Sequence, residues 1–183
     1  MSFRFSFAST FVLLSAALAC GQVAAQADHS WTSIGAVGSV TPAEQGSVEQ
    51  SINWARVPFG LASGSATLRY NVTAVDGLFV PPPALSSFAF GMRFIDNGAS
   101  GRVQLRLRSY DRSTGALTTI EALDSNDVAP SSSAQSTFKC IAHDFDFSQK
   151  TYFVEAVLSK TALAGRAQLG ATWITPTTCI VSP

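Results

Sequence analysis

Apolar and polar residues alternate with a period of two along most of this 183-residue chain. Ala66, Leu68, Tyr70 and Val72 alternate with Thr67, Arg69, Asn71 and Thr73. Val103, Leu105 and Leu107 alternate with Arg102, Gln104, Arg106 and Arg108 in the same way. Successive strand residues point to opposite faces, so each run predicts a strand with one buried and one wetted face. The segment 86–95 is apolar on both sides and predicts a strand covered twice or flanked by loops. Further strands are predicted over 116–123, 137–147, 151–159 and 167–175, with 31–37 and 48–54 before them. No stretch sustains the period of a long amphipathic helix; 157–166 keeps a helical spacing for only a turn or two.

The punctuation agrees with this pattern. Asp96-Asn97-Gly98 predicts a hairpin, because Asn-Gly takes the positive φ angles that tight turns require. Residues 111–115 predict a second hairpin with a four-residue loop, which sets Leu105 against Ile120 and Leu107 against Thr118. Pro81, Pro82 and Pro83 exclude a central strand and predict an extended crossover, and Pro130 to Ser133 reads as a flexible loop. Eight or nine short strands at this spacing predict an all-β fold. It is a single antiparallel β-sandwich of jelly-roll or Greek-key type, without internal repeats.

The first 27 residues stand apart from that pattern. Arg4, an apolar stretch from Phe5 to Ala19 and the small-x-small triplet Ala25-Gln26-Ala27 read as a signal peptide. The expected mature chain is one domain over 28–183, periplasmic or extracellular. An alternative signal reading lipidates Cys20 and makes the protein a tethered lipoprotein. The pattern Ala17-Leu18-Ala19-Cys20 carries that reading loosely, since Ala17 stands where leucine is usual. Nothing after residue 27 offers the 18 consecutive apolar residues of a transmembrane helix.

Twelve basic and twelve acidic residues balance in the whole chain, and loss of Arg4 leaves the mature part at −1. That balance excludes a nucleic-acid partner, which demands a strong basic excess. Two cysteines remain after the leader, Cys140 and Cys179, and in an exported chain they predict one disulfide closing a loop of about 40 residues.

Candidate chemistry is sparse. In a strand over 137–147, His143 shares an apolar face with Ile141, Phe145 and Phe147, while Asp144 and Asp146 share the other. His143, Asp144, Asp146 and Glu155 are therefore the candidates for a hydrolase acting on polysaccharide, although no Gly-x-Ser-x-Gly elbow accompanies them. Asp124, Asn126 and Asp127 are oxygen-rich calcium candidates without the ordered spacing of a dedicated loop. No metal or other cofactor is expected. Arg102, Arg106 and Arg108 form a basic stripe for acidic glycans or anionic headgroups. Trp31, Trp54 and Trp173 offer stacking surfaces, and the alternation of Trp173 with Leu169 and Ala171 predicts a core position for it. The expectation is a non-enzymatic binding or structural module of the cell envelope, with a glycan or an envelope protein as partner. A polysaccharide hydrolase and a subunit of a surface polymer are the alternatives.

Overall fold

The alternating runs become strands of two antiparallel sheets in a computed structural model that describes residues 30–73 and 87–177. In chain order these are β1 (Trp31–Ile34), β2 (Ser39–Val40), β3 (Glu49–Gln50), β4 (Ala55–Arg56), β5 (Gly64–Val72) and β6 (Ser87–Asp96). They continue as β7 (Gly101–Asp111), β8 (Leu117–Asp124), β9 (Ser131–Ile141), β10 (Lys150–Lys160) and β11 (Ala167–Thr177). The first sheet runs β3-β4-β11-β6-β9, with β1 also paired to β11, and the second runs β2-β5-β10-β7-β8. From β4 onward the chain alternates between sheets except at β7–β8, which is jelly-roll wiring. Among the described residues no helix is long and apolar enough to cross a membrane.

The core lies between the sheets. Phe88, Phe90, Met92 and Phe94 of β6 meet Leu105 and Leu107 of β7 and Val154, Ala156 and Leu158 of β10, all almost fully buried. Trp31 is buried with them, and the Tyr70 hydroxyl donates to Gly35 O at 2.8 Å. Lys160 is only 2% exposed, yet its ammonium donates to Pro58 O, Phe59 O and Leu163 O at 3.1, 3.2 and 3.5 Å. A buried charge is tolerated only when such partners replace water.

Several expectations are corrected. The predicted strand over 137–147 is instead Ser131–Ile141, so Ser131 to Ser133 are strand and not loop, and 142–147 lie outside it. An edge strand is held by its backbone ladder to β6, from Phe88↔Ile141 to Asp96↔Ser131, and needs few apolar side chains. The Asn97-Gly98 turn forms, with Gly98 at φ 130° and its N–H donating to Asp96 Oδ1 at 2.9 Å. However, it hands the chain from β6 in one sheet to β7 in the other and is no hairpin. The Asn97 side chain fastens it to the other crossing turn, donating to Ala164 O at 2.8 Å and accepting from Arg166 N at 2.7 Å.

The second hairpin does form between β7 and β8. Its register pairs Leu105 with Leu123 and Leu107 with Glu121, three residues from the expected one. The turn closes from Asp111 N to Ala116 O, which moves the pairing by two, and an irregularity between Leu107 and Arg108 that takes up Ile120 adds the third. The early strands are shorter than predicted: 31–37 ends in a 3-10 turn from Gly35, and 48–54 yields only Glu49–Gln50. The crossover predicted at Pro81–Pro83 lies outside the described residues.

Candidate functional site: the outer face of the first sheet

The outward side of an exposed antiparallel sheet is ordinarily polar. Here it carries aromatic rings, and for Trp173 a β-bulge is the reason. Leu169 and Ala167 point into the core, as do Ile174 and Thr172. The pairing of β11 with β6 shifts between Leu169 and Ala171, so Gly170 adds one residue and reverses the parity of everything after it. Trp173, expected inside, therefore points out and is half-buried.

Glycines receive the rings. A Cβ on Gly91 would lie 2.2 Å from Trp173 Cε2, so the indole rests directly on the β6 backbone. Trp54, which precedes inward-facing Ala55, lies over Gly170 in the same manner, 3.0 Å from where a Cβ would stand. Cross-strand pairing then builds rows. Thr32, Trp173, Gly91 and Phe138 occupy one, and Phe138 is 57% exposed. Ile34, Ala171, Arg93 and Ser136 occupy the next, and Thr175, Ala89 and Cys140 flank the other side. Trp173 and Phe138 sit two strands apart, about 10 Å, with only a glycine between them. The result is an apolar patch edged by hydroxyls and one guanidinium.

The other candidates are dispersed. His143 lies after β9, edge-on to Phe145 at 4.9 Å and Tyr152 at 5.7 Å between ring centroids. Burial first, then the Lys150 ammonium, holds its imidazole below the usual range, against a smaller opposing pull from Asp144. Its Nε2 is buried with no hydrogen-bond partner. It borders a cavity of ≈ 320 Å³ together with Ser109, Asp111, Thr118 and Lys150. Asp111 is committed to its own turn, accepting from Ser113 Oγ, Ser113 N and Thr114 N, which holds its carboxyl down at about 2. Asp146 likewise accepts from the Ser148 hydroxyl and N–H, and Asp144 is exposed.

Glu155 is elsewhere, on the outer face of the second sheet, among Arg69, Arg106 and Arg108. The proposed hydrolase set is thus not assembled. The basic stripe is divided as well: Arg102 pairs with Asp124, and only Arg106 and Arg108 reach Glu155. Asp124 also accepts from Gln104 Nε2 and Asn126 N, so its oxygens are engaged in capping the 3-10 turn Ser125–Asp127. Among the described residues no three His, Cys, Asp or Glu side chains converge as metal ligands. Cys140 is half-buried opposite Ala89, while Cys179 and Cys20 lie outside the described residues.

Sequence reasoning missed Gly91, Phe138 and the outward turn of Trp173. Isolated glycines inside strand runs, at Gly91 and Gly170, were the available signal for a close approach and a bulge.

No protein-family model matches the chain, and no curated protein matches it. Among solved structures it is similar to a xylan-binding module, CBM15, at 13% identity and a TM-score of 0.41, covering 82% of this chain and 92% of that one. It is also similar to TmCBM61 in complex with β-1,4-galactotriose, at 11% identity and a TM-score of 0.38, covering 80% and 88%. A third similarity is to the isomalto-dextranase of Arthrobacter globiformis T6 complexed with panose. There the identity is 12% and the TM-score 0.43, over 80% of this chain but only 23% of the enzyme.

Proposed function

We propose that this chain is an exported, non-catalytic glycan-binding module that holds saccharide rings flat against Trp173 and Phe138. One observation carries the reading: Trp173 is turned outward by the Gly170 bulge, bedded on Gly91, and placed in a row with exposed Phe138. A pyranose ring presents an apolar, weakly electropositive layer of C–H bonds on its face. That layer complements the electron-rich face of an indole, and its rim hydroxyls need polar partners. Thr32, Thr175, Ser136 and Arg93 stand where such partners are needed. An aromatic surface left on a sheet that water would otherwise face calls for an occupant.

The exported state rests on the leader over 1–27, with the mature domain over 28–183 joined by a Cys140–Cys179 disulfide in the periplasm or outside the cell. Hydrolysis as the alternative has little support in the site, since His143 and Glu155 belong to different regions. A polymer subunit would need a free strand edge. On the edge strand β9, Lys139 donates to Ala122 O at 2.9 Å and lies 3.5 Å from Glu121 of β8, and an edge lysine opposes strand addition.

Depletion from solution by insoluble polysaccharides tests the reading. Wild-type protein is expected to be removed by at least one of cellulose, xylan, chitin or peptidoglycan. Trp173→Ala should weaken that binding by roughly tenfold or more with the fold intact. Equal depletion of wild type and variant, or none by any polymer, would contradict it.

A further inference from the structure

The outer face of the second sheet carries a separate feature. Glu155, 6% exposed, sits at the centre of β10 directly opposite Arg69 of β5 on one side and Arg106 of β7 on the other. Arg108 stands two residues further along β7. The three guanidiniums approach the one carboxylate at 3.5, 3.4 and 3.3 Å. These contacts are long and single, where a charge-assisted bond is typically about 2.7–2.9 Å.

The same molecule shows what a committed pair looks like. Arg56 grips Glu49 through two nitrogens at 3.0 and 2.7 Å, and Arg102 grips Asp124 through two nitrogens as well. At Glu155 no arginine forms such a fork. Nearby carboxylates do not make up the difference: Asp124 is held by Arg102, and Glu44, which acts on Arg69, has its oxygens taken by the Thr41 hydroxyl and Thr67 N. Three cations therefore share one buried anion, and Arg108 Nε is buried without a partner. Arg69 and Arg106 keep 49% and 41% of their side chains open to solvent. They stand about 10 Å apart across β10.

We propose that Arg69, Arg106 and Arg108 form a binding site for the carboxylate or sulfate groups of an acidic polysaccharide, with Glu155 as the fixed counterion that spaces them. Guanidinium donors suit these oxyanions because their planar forks match the anion geometry. The exposed guanidiniums of Arg69 and Arg106 are within reach of an extended polymer on this side of the sheet. This site is on the opposite sheet from the stacking surface and does not depend on it.

Affinity electrophoresis of the full mature protein through gels holding dextran sulfate, polygalacturonate or uncharged dextran tests the proposal. Retardation is expected with both acidic polymers, not with dextran, and should fade at high salt. The double variant Arg69→Gln/Arg106→Gln removes exposed groups and should weaken retention roughly tenfold. Glu155→Gln should strengthen retention, because it removes the internal competitor. If that variant fails to fold, the arginine double variant decides alone. The arginine double variant should leave the depletion by insoluble polysaccharides unchanged, which separates this site from the stacking surface. Equal retention of wild type and the double variant would overturn the assignment. So would binding to phosphatidylserine vesicles with no retention by either acidic polysaccharide.

Discussion

Replacing Gly91 by alanine disturbs the proposed site without removing any side chain that would touch a ligand. The new Cβ would stand 2.2, 2.3 and 2.5 Å from Cε2, Cζ2 and Nε1 of Trp173. Ordinary contact begins near 3.4 Å, so the indole has to retreat by about 1 Å or more. Because Trp173 is half-exposed, it can tilt outward and leave the core undisturbed. An off-rotamer tilt costs about 0.5–1.5 kcal/mol. Alanine in a strand interior recovers about 0.5–1 kcal/mol relative to glycine. The two nearly cancel, and the thermal midpoint should stay within about 4 °C of wild type. Near-UV circular dichroism should change as the indole moves, and glycan affinity should fall roughly tenfold because the indole leaves its place against Gly91 beside Phe138. A loss of more than about 3 kcal/mol would place Trp173 in the core after all. Unchanged affinity alongside a changed near-UV spectrum would show that the indole face is not the contact.

Three further outcomes follow from the packing, the titrations and the leader. Lys160→Met strips three backbone carbonyls of their donor and should cost about 3 kcal/mol, lowering the melting midpoint by roughly 6–12 °C. The folded state holds Asp111 down at about 2 from its ordinary 3.8. Its contribution to stability is therefore complete above the unfolded value and is lost as pH falls from about 4 towards about 2. Asp111→Asn should flatten that part of a melting-temperature profile against pH, and an unaltered acid limb would refute the assignment. The intact unreduced mass of protein taken from fractionated cells and medium should begin at Asp28 and fall two hydrogens short. Pairing of Cys140 with Cys179 closes a loop worth about 3–4 kcal/mol. A mass beginning at a lipidated Cys20 would instead make the exported protein a membrane-tethered lipoprotein.

The sheets themselves were legible because one buried face per strand imposes a period of two, as in 66–72 and 103–107, and both segments are strands. What escaped that pattern has definite physical causes. One inserted residue at Gly170 exchanges the two faces of β11, and period-two reasoning carried across it puts Trp173 on the wrong side. The edge strand β9 is serine-rich because hydrogen bonding to β6 holds it, so its hydrophobic signal is weak. The alternation of Ile141, His143, Phe145 and Phe147 is real. In the structure, however, it brings aromatic rings around Tyr152 from a non-strand segment. Asn97-Gly98 specifies a turn and nothing about which sheet receives the chain next. The basic stripe was read within one strand. Its carboxylate partners come from β8 and β10, which only the register brings alongside.

The central claim is most directly tested by following the three tryptophan indole N–H signals in a nitrogen–proton correlation spectrum during titration with soluble fragments of whichever polysaccharide depletes the protein. Substitution of each tryptophan in turn assigns the peaks. Trp31 is buried between the sheets, and Trp54 and Trp173 lie against glycines of the outer face. The account predicts that the Trp173 indole, with backbone amides of Gly91 and Phe138, shifts saturably while Trp31 stays still. A still Trp173, with shifts confined to the segment around His143 or to the Arg106 face, would contradict it.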